Sequence, residues 1–250
     1  MQRIDDTGFG NIRVIQNPGY GYGVDAVLLA AFAAGETGAR GIRSGAKIAD
    51  LGTDCGIVAF ILTHKVRGSV LTGIEKREEA ASRAAQAAVM NGLEDRVRII
   101  TADVLEISDE NTEHEDLRQA FDAVVSNPPY FRKNAAIPSS SEDRYTARHE
   151  TTADIGGFAR AASYMLGTGC SLYLVHRPDR LVDIFTALRD AGLEPKELQL
   201  VVPAPGEAAN IVLIHAVKGA GPELRLLPEI AVHGRDGGYS EEILRIYERH

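Results

Sequence analysis

Asn127-Pro128-Pro129-Tyr130 is the stretch of this 250-residue chain whose residue types speak most directly of chemistry. The side-chain oxygen of Asn127 and the backbone carbonyl of Pro128 can each accept one N–H of a planar amine. Two such bonds orient the amine, free its lone pair from conjugation and stabilise positive charge as it develops. The prolines stiffen the backbone that presents the second acceptor, and Tyr130 offers a ring on which a planar group can stack. Methyl transfer to nitrogen needs this set and requires neither a metal nor a strong general base, so Asn127, Pro128 and Tyr130 are the candidate catalytic residues. A Pro-Pro turn capped by Asn is the bland alternative. The tetrapeptide's position, directly after an apolar strand and about 75 residues beyond a glycine turn, favours the chemical one.

That glycine turn is Asp50-Leu51-Gly52-Thr53-Asp54-Cys55-Gly56. A turn between strand and helix with glycines at 52 and 56 lets the backbone approach a bound nucleotide beyond the strands' carboxyl ends. Glu75 ends the next strand, where an acid can accept hydrogen bonds from both ribose hydroxyls. Asp103 follows the third strand and can meet an adenine amino group. Three acids at three successive strand ends are more specific than any one; their alternative is a tight turn with solvated carboxylates. Asp54 departs from the D-x-G-x-G-x-G pattern by placing a carboxylate where glycine is usual. It can crowd the carboxylate of a cofactor's amino-acid moiety or turn outward. The G-x-G-x-x-G of a nicotinamide dinucleotide site is absent. Asp25, just before the apolar run 26–33, is placed either to cap that helix or to contact the cofactor; Tyr20 and Tyr22 are rim or core aromatics.

The elements that must position these residues alternate between strand and helix. Strands are expected at 46–51, 69–74, 97–101, 121–126 and 170–175, with helices at 57–65, 77–90 and 152–166 and another opening at Pro178. Polar residues 108–116 read as a loop or a short exposed helix. Residues 198–202 and 211–216 are separated by too few residues for a crossover and must pair as a hairpin. The expected fold is α/β and Rossmann-like: a seven-stranded, mostly parallel sheet with a terminal antiparallel hairpin. One domain is expected over 1–250: a covering segment at 1–45, the core at 46–217 and an extension at 218–250.

With 44% hydrophobic and 25% charged residues, the composition is that of a soluble globular chain able to bury a full core. Two distant cysteines, Cys55 and Cys170, suggest a reducing compartment and no zinc or iron–sulfur site. The N-terminal residues carry no signal-like apolar run, and no stretch of about 18 apolar residues would span a membrane. A cytoplasmic protein without metal or membrane partner is expected, as a monomer or homodimer. A net charge of −8 argues against a protein that coats nucleic acid, although an average can hide a local basic face.

The segments Gly23-Val24-Asp25-Ala26-Val27-Leu28-Leu29, the Asp50 turn, Asn127-Pro128-Pro129-Tyr130-Phe131 and Ala147-Arg148-His149-Glu150 occur here in the same order as in the bacterial tRNA(Val) adenine-N6 methyltransferases. The chain resembles that family over nearly its whole length, including the tail Gly237-Gly238-Tyr239-Ser240-Glu241-Glu242-Ile243. The resemblance implies S-adenosylmethionine as cofactor and N6 methylation of an adenine beside a tRNA anticodon. It also implies that Asp50, Glu75 and Asp103 hold the cofactor, with Gly52, Gly56 and Asp25 beside them. A loop base can swing into such a pocket at low cost. Pro129 and Phe131 would then line the adenine site, and Arg132, Lys133, Arg148 and His149 would face flanking phosphates. Glu142, Asp143 and Glu150 intervene among these cations, so a solvated mixed-charge loop is an equal reading of that stretch. The Asn-Pro-Pro-Tyr motif is shared with methyltransferases that act on a glutamine of release factors. That alternative suits the acidic charge, but there is no long helical domain ahead of the glycine turn. A non-catalytic nucleotide- or RNA-binding module is a third reading, motivated by Asp54.

Overall fold

The computed structural model describes residues 3–16, 21–108, 112–128 and 155–249. Its backbone is a central sheet of parallel strands whose far end turns antiparallel. In chain order the elements are β1 (Arg3–Asp6), β2 (Arg13–Gln16), α1 (Val24–Ala34), β3 (Lys47–Leu51), α2 (Ile57–Lys65), β4 (Val70–Glu75), α3 (Glu78–Met90) and β5 (Val97–Thr101). Two short 3-10 turns, Val104–Glu106 and Thr112–Leu117, lead to β6 (Phe121–Ser126). Then come α4 (the helical stretch 155–165), β7 (Leu166–His176), α5 (Leu181–Asp190), β8 (Leu193–Val202), β9 (Ile211–Lys218), β10 (Arg225–Leu226), β11 (Ile230–Ala231) and α6 (Glu241–Ile246).

The sheet runs β10-β8-β9-β7-β6-β3-β4-β5, with β11 also on β8. The chain starts in the middle at β3, steps outward through β4 and β5, then returns to β6 on the other side of β3. That reversal opens a crevice between β3 and β6 at their carboxyl ends. Both strands are buried on both faces and alternate between them. Ile48, Ala123 and Val125 join α1, α2 and part of α3, whereas Ala49, Leu51 and Val124 join α4 and α5. A one-residue slip would exchange these sets, so the pairing of the two strands is strongly specified.

The sequence reading differs from the fold in several places, among them an unexpected antiparallel pair of β1 and β2. Among the described residues the sheet has nine strands, because β10 and β11 of the expected C-terminal extension lie along the open edge of β8. Two-residue parallel strands are too short to announce themselves by periodicity, yet they cover an edge that would otherwise present free backbone groups. The second difference is α1, placed in the covering segment by the sequence but buried from Ala26 to Ala33 against α2, β7 and β9. Its uniformly apolar composition is that of a helix enclosed on all sides. Third, β7 and β8 are longer than their apolar stretches, beginning at Leu166 and Leu193 and including polar residues such as Thr168, Glu194 and Lys196.

One buried polar network ties the antiparallel end together. His215 on β9 is bonded through Nδ1 to Glu197 Oε2 at 3.0 Å and through Nε2 to Ser171 Oγ at 2.9 Å. Its ring stacks on Tyr173 with centroids 4.7 Å apart. Glu197 also accepts from the Arg40 backbone N–H at 2.8 Å and from the Arg225 guanidinium. This one carboxylate joins β8, β9, β10 and the loop after α1. Burial pushes the Glu197 carboxyl up, but its donors outweigh that and hold it below 4.5. Burial lowers His215 below 6.5 despite the carboxylate beside it.

Removing Glu197 leaves a buried histidine and a backbone N–H without their acceptor, so Glu197→Ala is expected to lower unfolding free energy by about 3 kcal/mol in urea titrations. The folded chain holds fewer protons than the unfolded one once pH falls through 6.5, where unfolded histidine titrates. The His215 contribution is therefore complete above that pH and lost below it. Wild type should lose stability relative to His215→Gln between pH 6.5 and 5, read from paired denaturation curves.

Candidate active site

Leu51 pairs with Ser126 in the parallel register of β3 and β6, and the Ser126 hydroxyl donates to the Leu51 carbonyl at 3.1 Å. The next residues on the two strands are Gly52 and Asn127. The glycine turn and the asparagine–proline corner thus leave the sheet side by side. Asn127 is half-buried and Pro128 buried.

The turn itself hangs on β4. The N–H groups of Gly52 and Thr53 both donate to the Ile74 carbonyl, at 2.9 and 3.0 Å. Gly73 on β4 is the reason the two approach so closely: a Cβ there would stand 2.8 Å from Thr53 Cγ2 and from Ile99 Cδ1. Gly52, Asp54 and Gly56 all have positive φ, at 74°, 47° and 82°. Such a winding turn favours glycine, and aspartate is among the few other residues that tolerate it. Any side chain at Gly56 would also meet the Phe60 ring at 2.6 Å.

The acids stand along the strand tips as expected, in three different environments. Asp50 is 1% exposed and lies under the turn, accepting from the Thr53 hydroxyl at 2.6 Å. Burial pushes its carboxyl up to about 7, against the bonds from Thr53 and the Ala59 N–H that favour the ionised form. Glu75 is buried but faces the turn: Oε2 accepts from the Asp54 N–H at 3.1 Å, and Oε1 from the Arg77 N–H and Nε at 3.0 and 2.9 Å. Asp103 stands just beyond β5 and accepts from the Leu105 N–H at 3.0 Å, capping the first 3-10 turn.

Asp25 does not occupy the capping position. Gly23 is the residue before α1, and Asp25 lies in the first turn, where it accepts from the Ala26 N–H at 3.0 Å. It still satisfies one of the open N–H groups there. Asp54 turns outward and pairs with Arg77, whose Nη2 donates to Oδ1 at 2.6 Å. Sequence reasoning missed Arg77, Thr53 and Gly73. The signals were a cation two residues past the strand-end acid and a glycine inside an apolar strand.

The start of α4 roofs the crevice. Phe158 lies 3.8 Å from where a Gly52 Cβ would be, and Leu105 closes on Gly157. Beside it, an apolar cleft of about 350 Å³ including its open mouth is lined by Leu51, Ser126, Pro128, Phe158, Leu174 and His176. Tyr20, Pro129, Tyr130, Phe131, Arg132, Lys133, Arg148 and His149 lie outside the described residues. Among the described residues no cluster of three or more His, Cys, Asp or Glu is arranged to hold a metal ion, and no helix is long and apolar enough to cross a membrane.

Residues 26–178 match the methyltransferase small domain. The chain is 31% identical over 229 residues to the tRNA1(Val) (adenine(37)-N6)-methyltransferase of Porphyromonas gingivalis strain W83, covering 90% of this chain and 86% of that one. It is 29% identical to the enzyme of that name from Bacteroides fragilis strain YCH46, over 90% and 87% of the two chains. Among solved structures, a predicted O-methyltransferase from Agrobacterium tumefaciens superposes with a TM-score of 0.72 at 22% identity, over 90% of this chain and 95% of that one. The 16S rRNA N2 G1207 methyltransferase of Thermus thermophilus, solved with AdoMet and guanosine, gives 0.58 at 17% identity, over 87% and 51%. A crevice at the sheet's reversal point, an asparagine–proline corner at its lip and these similarities lead to one assignment: the chain belongs to the methyltransferase small domain family of S-adenosylmethionine-dependent enzymes, alongside the tRNA1(Val) (adenine(37)-N6)-methyltransferases.

Proposed function

We propose that the chain methylates the exocyclic N6 of an adenine in tRNA, and that its target is position 37 of tRNA1(Val), as in the names of its relatives. The observation that carries the reading is the Leu51–Ser126 register, which sets the glycine turn next to the asparagine–proline corner. The residues present suit S-adenosylmethionine. Gly52 offers bare backbone beside the Phe158 ring, and Glu75, with three donors already seated, keeps acceptor capacity on Oε2 for a ribose hydroxyl.

When bound, the cofactor supplies an electrophilic sulfonium methyl. Gly52 and Gly56 shape the turn, Glu75 takes the ribose and Asp103 keeps its second carboxylate oxygen for the adenine amino group. Asp50 places negative charge beneath the turn. Asn127 Oδ1 and the Pro128 carbonyl accept the two N–H bonds of the target amine, with Tyr130 as its stacking platform. Pro129 and Phe131 flank the base, while Arg132, Lys133, Arg148 and His149 take phosphates. Such a reaction belongs in the cytoplasm, where its tRNA is found.

Nucleoside mass spectrometry of tRNA from cells with and without the protein tests the reading: N6-methyladenosine should vanish with the gene. Label from the cofactor appearing as methylglutamine in a release factor, with none in tRNA, would replace it. Asn127→Ala removes one of the two acceptors and is expected to slow turnover by about 10²–10³-fold while leaving cofactor affinity nearly unchanged in calorimetry. Turnover like wild type would remove Asn127 from the mechanism. A cationic cofactor favours ionised Asp50, so S-adenosylmethionine affinity should weaken about tenfold from pH 8 to pH 6 as a carboxyl titrating near 7 takes up its proton. Asp50→Asn should flatten that profile; a flat wild-type profile would contradict the role given to Asp50.

A further inference from the structure

The cofactor reading leaves one feature unexplained, namely a carboxylate at position 54 of a turn that elsewhere carries glycine. Asp54 sits at φ 47°, and its backbone N–H donates to Glu75 Oε2 at 3.1 Å. Its own carboxylate therefore stands close to the buried acid that the reading gives to the ribose. Two like charges this close repel each other.

Arg77 spans both. Its Nε and backbone N–H hold Glu75 Oε1, and its Nη2 holds Asp54 Oδ1 at 2.6 Å. The four groups close a ring: Asp54 N–H to Glu75, Glu75 to the Arg77 guanidinium, and the guanidinium back to the Asp54 carboxylate. One planar fork both fixes the direction of the Glu75 carboxylate and cancels the charge that aspartate adds. The Arg77 and Asp54 side chains are more than half exposed. That ion pair, being so wet, contributes little to folding by itself, whereas the bond to the buried Glu75 bears on the carboxylate that faces the ligand.

Resting on the cofactor reading above, we propose that Arg77 is a positioning residue for the ribose-binding acid, made necessary by Asp54. The pair acts as one unit: Arg77 is required for full cofactor affinity when position 54 is aspartate and dispensable when it is glycine.

A double-mutant cycle on binding tests this. S-adenosylmethionine affinity is measured by calorimetry for wild type, Asp54→Gly, Arg77→Ala and the double variant, with thermal melts of the unliganded proteins alongside. Arg77→Ala alone should weaken binding about tenfold, the scale of an ordinary coupling between sites. The double variant should lie within about twofold of Asp54→Gly, and any fall in melting temperature from losing the bond to buried Glu75 should be alike in both backgrounds. Arg77→Lys, which keeps the charge without the fork, should recover part of the loss. The same coupling should appear with methylthioadenosine, which keeps the ribose and lacks the amino-acid end. Equal losses from Arg77→Ala in both backgrounds, no loss in either, or coupling seen with S-adenosylmethionine alone would each overturn the proposal. Failure of wild type to bind S-adenosylmethionine would instead overturn the cofactor reading itself.

Discussion

The site depends on a parallel pairing between two strands that are 75 residues apart in sequence. Neither β3 nor β6 carries enough chemistry alone. The glycine turn is a place for a nucleotide only if something reactive stands beside it, and the asparagine–proline corner needs a donor within reach. Register supplies both, because Leu51 opposite Ser126 makes Gly52 and Asn127 the first residues free of the ladder on neighbouring strands. The Ser126 hydroxyl, donating to the Leu51 carbonyl, satisfies a backbone group where the two strands diverge. Apolar alternation on both faces then locks the register.

Around that pairing, buried acids organise the chain. Asp50 lies beneath the turn and is held by the hydroxyl of Thr53, within the same turn. Glu75 accepts the Asp54 N–H and so fixes the turn from the β4 side. At the opposite end of the sheet, Glu197 gathers four separate pieces of chain onto one carboxylate. These acids do in this fold what apolar side chains cannot, since a hydrogen-bond acceptor sets direction as well as proximity. The remainder of the interior is mostly apolar, and that part could be satisfied by many sequences of similar volume.

Most of this was legible beforehand, for definite reasons. The strands β5 and β6 and the helix α2 fall at the expected residues because short apolar stretches bounded by turn residues have few alternatives. The alternation of strand and helix, with a tight terminal hairpin, led to the sheet type. The acids at the strand tips stood where expected because a strand's end is a local property. What escaped was set by long-range contact. Nothing local distinguishes Arg225 and Leu226 as an edge strand, and only their partner β8 makes them one. Asp25 looked like a cap because it precedes an apolar run, but the helix begins one residue earlier, at Val24. Arg77 lies only two residues past Glu75, but its pairing with Asp54, 23 residues away, is made by the fold.

The same contacts resolve the apparent conflict between an acidic chain and a polyanionic substrate. Net charge is a property of the whole surface, whereas the crevice answers to its own ligand first. Asp50, Asp54, Glu75 and Asp103 stand at the tips, while among the described residues the cations paired with them are Arg77 and, at 4.0 Å from Asp103, Lys76. The balance at the crevice is therefore negative, which suits a donor carrying a sulfonium and an ammonium group. Arg132, Lys133, Arg148 and His149 all follow the corner in sequence rather than the turn. Glu142, Asp143 and Glu150 lie among them, so the stretch after the corner is mixed in charge, unlike the strand tips where acids outnumber cations.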